Sequence, residues 1–196
     1  PFQLGGHFGY VDESGMFSIN RKTDSNTSLS SEAWTEYDSI PESFILHDPY
    51  GSDIYAVNNP DGYPYICDDV VFIIGSDQTT LTTLDKAGNK NWTFDFPSPL
   101  TSLDTGGSII AAGTLDGSIY LLHQDGRLVH TFEPGGSRLS VILSVRISAD
   151  DRHVAVISGI DSQRFLLLER FSDSYKVVYH EYLETGFRRP VFLSFI

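Results

Sequence analysis

Two stretches of the chain superimpose on each other without a gap. Residues from Val71 to Leu84 align with residues from Ile109 to Leu122 at a constant offset of 38 positions. The register holds through the next turn, with Gly88 on Gly126, Thr93 on Thr131 and Phe94 on Phe132. Each copy reads as short apolar runs separated by turns rich in Asp, Gly and Asn, which tolerate positive φ. A unit this short cannot bury both faces of its own sheet, so it must stack on neighbours of the same kind.

Small sheets repeated at this period predict an all-β fold, a β-propeller of about four blades plus part of another, and a piece of a longer propeller. One propeller region covers 1–196, with blades expected at 7–38, 62–97, 99–134 and 139–184, an irregular insert at 40–59 that is either an extra strand pair (Ser43 to His47 and Ile54 to Val57) or a long inter-blade loop, and the start of a further blade at 190–196. In the first of these, Phe8 to Ile19 is aligned with the middle hairpin of the later units, Gly15 standing where Thr79 and Gly117 stand. Its outer strand is then expected at Glu32 to Tyr37, reached through a polar, loop-like stretch from Thr23 to Ser31.

Charge narrows the partners. The net charge is −13, which argues against a nucleic-acid backbone because that needs a concentrated cationic surface. Residues 1–100 hold 4 Lys/Arg against 15 Asp/Glu, whereas residues 101–196 hold 9 against 11, so a cationic partner meets the first half more readily. Cys67 is the only cysteine, which excludes an intrachain disulfide and a zinc site built on several thiolates; its apolar neighbours favour a buried thiol. No apolar run is long enough for a membrane-spanning helix. The start, Pro1-Phe2-Gln3, suggests a processed piece from which a signal peptide or lipid anchor has been removed.

The segment Leu84-Asp85-Lys86-Ala87-Gly88-Asn89-Lys90-Asn91-Trp92 resembles the Leu-Asp-x-x-Gly-x-x-x-Trp repeat of the quinoprotein-like (PQQ-like, WD40-like) propellers. Gly113 to Leu122 is similar to that family's Gly-x-x-Asp-Gly-x-x-Tyr-x-Leu hairpin. The resemblance is to the non-enzymatic scaffold members, such as the periplasmic lipoprotein of the outer-membrane β-barrel assembly machine, and to spirochaete-type propeller proteins. It implies a scaffold in the periplasm or cell envelope. The enzymatic members hold a quinone above a calcium ion beside a vicinal disulfide, which a single cysteine cannot form, so no cofactor is expected.

Asp12-Glu13, Asp68-Asp69 and Asp150-Asp151 sit where solvated turns are expected and are not assigned to a metal. The six histidines lack any His-x-His or His-Glu-x-x-His spacing. Trp92, Phe94 and Phe132 are read as packing between blades rather than as a recognition stripe. Tyr50, Tyr55, Tyr63 and Tyr65, among the acids Asp48, Asp53 and Asp61, are a candidate protein-contact surface. Arg188 and Arg189 are a candidate contact for a carboxylate-bearing partner. The expected role is a non-catalytic scaffold presenting loops to a protein or peptide, with a homodimer through an open propeller flank as a further partner. The alternatives are part of a quinone-dependent or other propeller enzyme, and a small-ligand-binding propeller in which Ile40 to Asn59 closes as a lid.

Overall fold

The computed structural model describes residues 1–172, 174–184 and 191–196. Every regular element among them is a strand, and every pairing within a sheet is antiparallel. The chain divides into two compact units, Pro1–Asp95 and Phe96–Ile196.

In the first unit, β1 (Phe2–Leu4), β2 (His7–Val11) and β3 (Phe17–Lys22) form a three-stranded sheet. A second sheet runs β4 (Asn26–Leu29), β5 (Trp34–Tyr37), β6 (Ser43–His47) and β7 (Asp53–Asn58) in chain order. The third is built likewise from β8 (Tyr63–Cys67), β9 (Val70–Ile74), β10 (Thr80–Leu84) and β11 (Lys90–Asp95). The second unit holds a sheet of β12 (Leu100–Thr105), β13 (Ile109–Thr114), β14 (Ile119–His123) and β15 (Leu128–Phe132). Its other sheet comprises β16 (Ile142–Ile147), β17 (His153–Ser158), β18 (Arg164–Phe171) and β19 (Ser174–Tyr182).

Burial follows position in the sheet. The second strands β9 and β13 are apolar almost throughout and buried along nearly their whole length. The last strands β11 and β15 have no buried residue: β11 keeps alternate residues half-covered, β15 keeps Val129, His130 and Phe132 so, and Phe132 packs on the core of the second unit. That core joins Ile109, Ile119 and Leu121 of one sheet to Ile142, Val154 and Leu168 of the other.

The structure corrects the reading of residues 7–59. Residues 40–59 do hold the strand pair expected at Ser43 to His47 and Ile54 to Val57, but as β6 and β7, the last two strands of the second sheet, and not as an insert, an inter-blade loop or a lid. Glu32 to Tyr37 is not an outer strand of the first blade, because β5 is the second strand of that same sheet. The turn after β2 explains the misalignment. Asp12 Oδ1 accepts the N–H groups of Ser14 and Met16, as Asp48 Oδ1 accepts those of Tyr50 and Ser52 and Asp85 Oδ1 those of Ala87 and Asn89. All three aspartates stand at the turn before the last strand of their sheet, so Gly15 matches Gly51 and Gly88 rather than Gly117. Hence β1 to β3 correspond to the second, third and fourth strands of the other sheets. At the other end, Val191 to Ile196 form no strand, having no backbone partner among the described residues.

The polar stretch Thr23 to Ser31 contains β4 instead of a loop. Ser28 Oγ accepts the Ile66 N–H at 2.8 Å, and Ser30 Oγ donates to the Asp68 carbonyl at 2.6 Å. The first strand of one sheet thus uses side chains to serve the open backbone edge of the next first strand. The second unit repeats the device: on β12, Ser102 Oγ accepts the Val145 N–H, Asp104 Oδ2 the Ile147 N–H, and Thr101 Oγ1 donates to the Ile142 carbonyl. Asp151, expected in a solvated turn, is buried and accepts the N–H groups of Gly107 and Ser108 at 2.9 and 2.7 Å.

The turn aspartates link stability to pH. Hydrogen bonds from Asn89 hold the Asp85 carboxyl below its ordinary value; the Ser52 N–H does the same for Asp48, and the Ser14 hydroxyl for Asp12. A depressed folded pKa gives stability that is present above the unfolded value of about 3.9 and is lost as pH falls through the folded one. Relief of the acidic chain's self-repulsion near its pI of about 4.6 acts oppositely on the total, so the informative quantity is a difference. The gap in urea midpoint between the protein and Asp85→Asn is expected to stay constant from about pH 7 to 5 and to close below about pH 4. A gap independent of pH would remove Asp85 from the linkage.

Candidate functional site

In an antiparallel sheet taken in chain order, the turns after the first and third strands open at the same end. At that end of the second and third sheets lies a cavity of about 360 Å³, lined by Glu32, Ala33, Leu46, Ile54, Tyr55, Ile66, Asp68, Asp69, Val71, Leu84, Asp85 and Lys86. Ala33, Leu46, Ile66, Val71 and Leu84 are buried members of the core that joins these two sheets, so the floor of the cavity is core surface exposed at its margin.

The rim comes from turns. Glu32 lies between β4 and β5, and Asp68-Asp69 is the tight connection of β8 to β9, with Asp68 at φ 51° in the left-handed region that Asp tolerates. Ser30 fixes these two turns to each other: its hydroxyl accepts the N–H groups of Glu32 and Ala33 while donating to the Asp68 carbonyl. Asp85 is occupied by its own turn, with Oδ2 accepting from the Asn89 amide at 3.1 Å. Glu32, Asp68 and Asp69 are exposed and have no ion-pair partner among the described residues. Among the described residues, Lys86 is the one cation of the lining.

Tyr55, on β7, forms a wall of the cavity. A β-carbon at Gly88 would stand 2.7 Å from its ring, so the glycine, at φ 82°, permits this close seat. Burial, helped by the charge of Asp85, pushes the Tyr55 phenol up to about 12, and it stays neutral at physiological pH.

The other sequence-derived candidates lie elsewhere. Tyr50 projects from the turn between β6 and β7, 80% exposed. Tyr63, on β8, stacks parallel on Tyr37 at 6.4 Å, and Tyr65 is half-buried on the same strand. The tyrosines therefore occupy separate places, and only Tyr55 lines the cavity. Arg188 and Arg189 lie outside the described residues. The acids Glu32, Asp68 and Asp69 were not singled out as a contact surface by the sequence; the signal available was two acids wedged between apolar strands at Cys67-Asp68-Asp69-Val70.

Comparison with known proteins agrees with this architecture. All of residues 1–196 match the family described as beta-propeller protein. An uncharacterised protein of Treponema pallidum (strain Nichols) is 27% identical over 195 residues, covering 100% of this chain and 52% of the relative, so the chain spans about half the relative's length. BamB from Moraxella catarrhalis superimposes with a TM-score of 0.60 at 16% identity, covering 86% of this chain and 57% of BamB. The C-terminal WD40 domain of Sif2 gives 0.62 at 14% identity, covering 85% of this chain and 51% of that domain. At these identities the structural likeness concerns the fold alone, and such a fold supports an interaction or scaffold role only in general terms. No helix among the described residues is long and apolar enough to cross a membrane. The chain belongs to the β-propeller protein family.

Proposed function

We propose that the chain is a non-catalytic propeller scaffold that presents its turns to a protein or peptide in the cell envelope. The observation that carries this reading is the cavity beside Tyr55: an apolar floor continuous with the core, under a rim of carboxylates not engaged in ion pairs among the described residues. Such a surface buries a partner's side chain and fixes its orientation by charge. The net charge of −13 favours a basic partner over nucleic acid. The envelope location rests on the repeat's likeness to scaffold propellers.

Calorimetric titration of the protein with calcium and pyrroloquinoline quinone separates this from the quinone-enzyme alternative. No saturable heat is expected, and tight calcium-dependent quinone binding would overturn the scaffold reading. For location, osmotic-shock fractionation of cells carrying the tagged full-length protein is expected to release or retain it with the envelope; recovery with a cytoplasmic marker would remove that part.

A further inference from the structure

The cavity between the second and third sheets has a chemistry that selects its occupant. We infer that it receives a single lysine or arginine side chain of a peptide partner, the methylenes lying on Leu46, Ile66, Val71 and Leu84 and the cation meeting Glu32, Asp68 and Asp69. This deepens the scaffold reading and rests on it.

Size, wetting and charge point the same way. At about 360 Å³ the space lies near the lower end for ligand pockets, more than a trapped water fills and suited to one long side chain. A wholly apolar occupant would bring an uncharged end against Glu32, Asp68 and Asp69, exposed acids without ion-pair partners among the described residues, and an acidic one would be repelled. Long basic side chains combine the two required parts, burying an apolar stem while keeping a charged head at the wet margin. The rim is pre-organised, since the Ser30 hydroxyl binds the turn of Glu32 to that of Asp68, so less freedom is lost when a cation arrives. The field favours the approach as well, because residues 1–100 carry most of the acidity, 15 Asp/Glu against 4 Lys/Arg. Lys86 stands at the edge as an internal competitor, exposed and without an ion-pair partner among the described residues.

The test uses blocked pentapeptides, acetyl-Ala-Ala-Xaa-Ala-Ala-amide, with Xaa arginine, lysine, norleucine, 2,3-diaminopropionate or glutamate, titrated into the labelled protein and followed by amide and methyl chemical shifts. Arginine and lysine peptides are expected to move the signals of Ala33, Leu46, Val71 and Leu84 saturably, and raised salt is expected to weaken them. Norleucine supplies a stem without charge and diaminopropionate a charge without a stem; each is expected to bind at least about tenfold more weakly, an effect of about 1.4 kcal/mol. Glu32→Gln with Asp69→Asn, both exposed, is expected to weaken the arginine peptide by about tenfold while leaving the thermal midpoint in place. Lys86→Ala is expected to tighten it several-fold.

Equal binding of norleucine would show a merely apolar pocket, and equal binding of diaminopropionate a merely acidic surface; either overturns the inference. Absence of saturable shifts overturns it too, while leaving the scaffold reading to stand or fall on the calcium and quinone titration.

Discussion

Replacement of Asp104 by alanine is expected to destabilise the second unit by about 3 kcal/mol. The residue is 2% exposed, and its carboxylate joins β12 to β16 by accepting from Arg146 Nη1 at 2.8 Å and from the Ile147 N–H at 2.6 Å. Alanine leaves the Ile147 N–H buried without its acceptor, and this desolvated donor, more than the lost ion pair, sets the size of the effect. Arg146 is 43% exposed and can turn to water, which keeps the loss below that of a fully buried pair. Asparagine keeps the shape and one acceptor oxygen but must turn an amide N–H₂ toward one of two donors, so Asp104→Asn should cost about half as much. In a chain of this size a loss of about 3 kcal/mol lowers the midpoint by roughly 6–12 °C. Far-UV circular dichroism in urea gives the stability, and hydrogen exchange at the Ile147 amide gives the location. An alanine variant within about 0.5 kcal/mol of the parent would mean that the side-chain bridge contributes nothing.

That bridge also shows what could be read from the sequence. The repeat at residues 71–84 and 109–122 is legible because β9, β10, β13 and β14 are the inner strands of their sheets, where burial holds the order of residues fixed. The first strands obey a different rule. β4 (Asn-Thr-Ser-Leu) and β12 (Leu-Thr-Ser-Leu-Asp-Thr) are polar because Ser28, Ser102 and Asp104 act on the backbone of the neighbouring sheet. A pattern search weighs hydrophobicity along the chain, so it sees β4 as a loop; the strand's stabilising partners lie in another repeat. The same blindness moved residues 40–59 out of their sheet and set Gly15 against Gly117, although the shared Asp-x-x-Gly spacing of Asp12, Asp48 and Asp85 marks one kind of turn.

The cavity was partly legible for a related reason. Tyr55 stood out as an aromatic among acids, but its seat depends on Gly88, in the turn between β10 and β11 of a different sheet, and on the 2.7 Å at which a β-carbon there would meet the ring. Asp68-Asp69 was read as a solvated turn, and both residues are exposed as that reading requires. Its relation to Glu32 follows from the Ser30 hydroxyl, a contact between residues with no local pattern in common.

Trp34→Ala is expected to remove about 4 kcal/mol from the first unit. The indole is 2% exposed at the junction of the first two sheets, tilted against Phe8 with centroids 4.9 Å apart and stacked on His47 at 4.3 Å. Phe8 and Tyr10 complete this small cluster, with Ile19 and Leu29 packed around it. Because the cluster is small, with Phe8, Tyr10 and Trp34 as its buried members among the described residues, it cannot close over the void left by the largest of them, and the cavity adds to the lost transfer free energy. The indole N–H donates to the Asp48 carbonyl at 2.8 Å, but that oxygen also accepts the Gly51 N–H within its turn. Loss of the indole donor alone therefore leaves the carbonyl satisfied, and Trp34→Phe, which preserves most of the ring area, should cost only about 1–1.5 kcal/mol. Urea unfolding of the two variants gives the order, with Trp92 remaining as the fluorescent reporter in both. If phenylalanine proved as damaging as alanine, the N–H would be the dominant contribution; if alanine cost under about 1 kcal/mol, the first sheet would be held to the second by something other than this cluster.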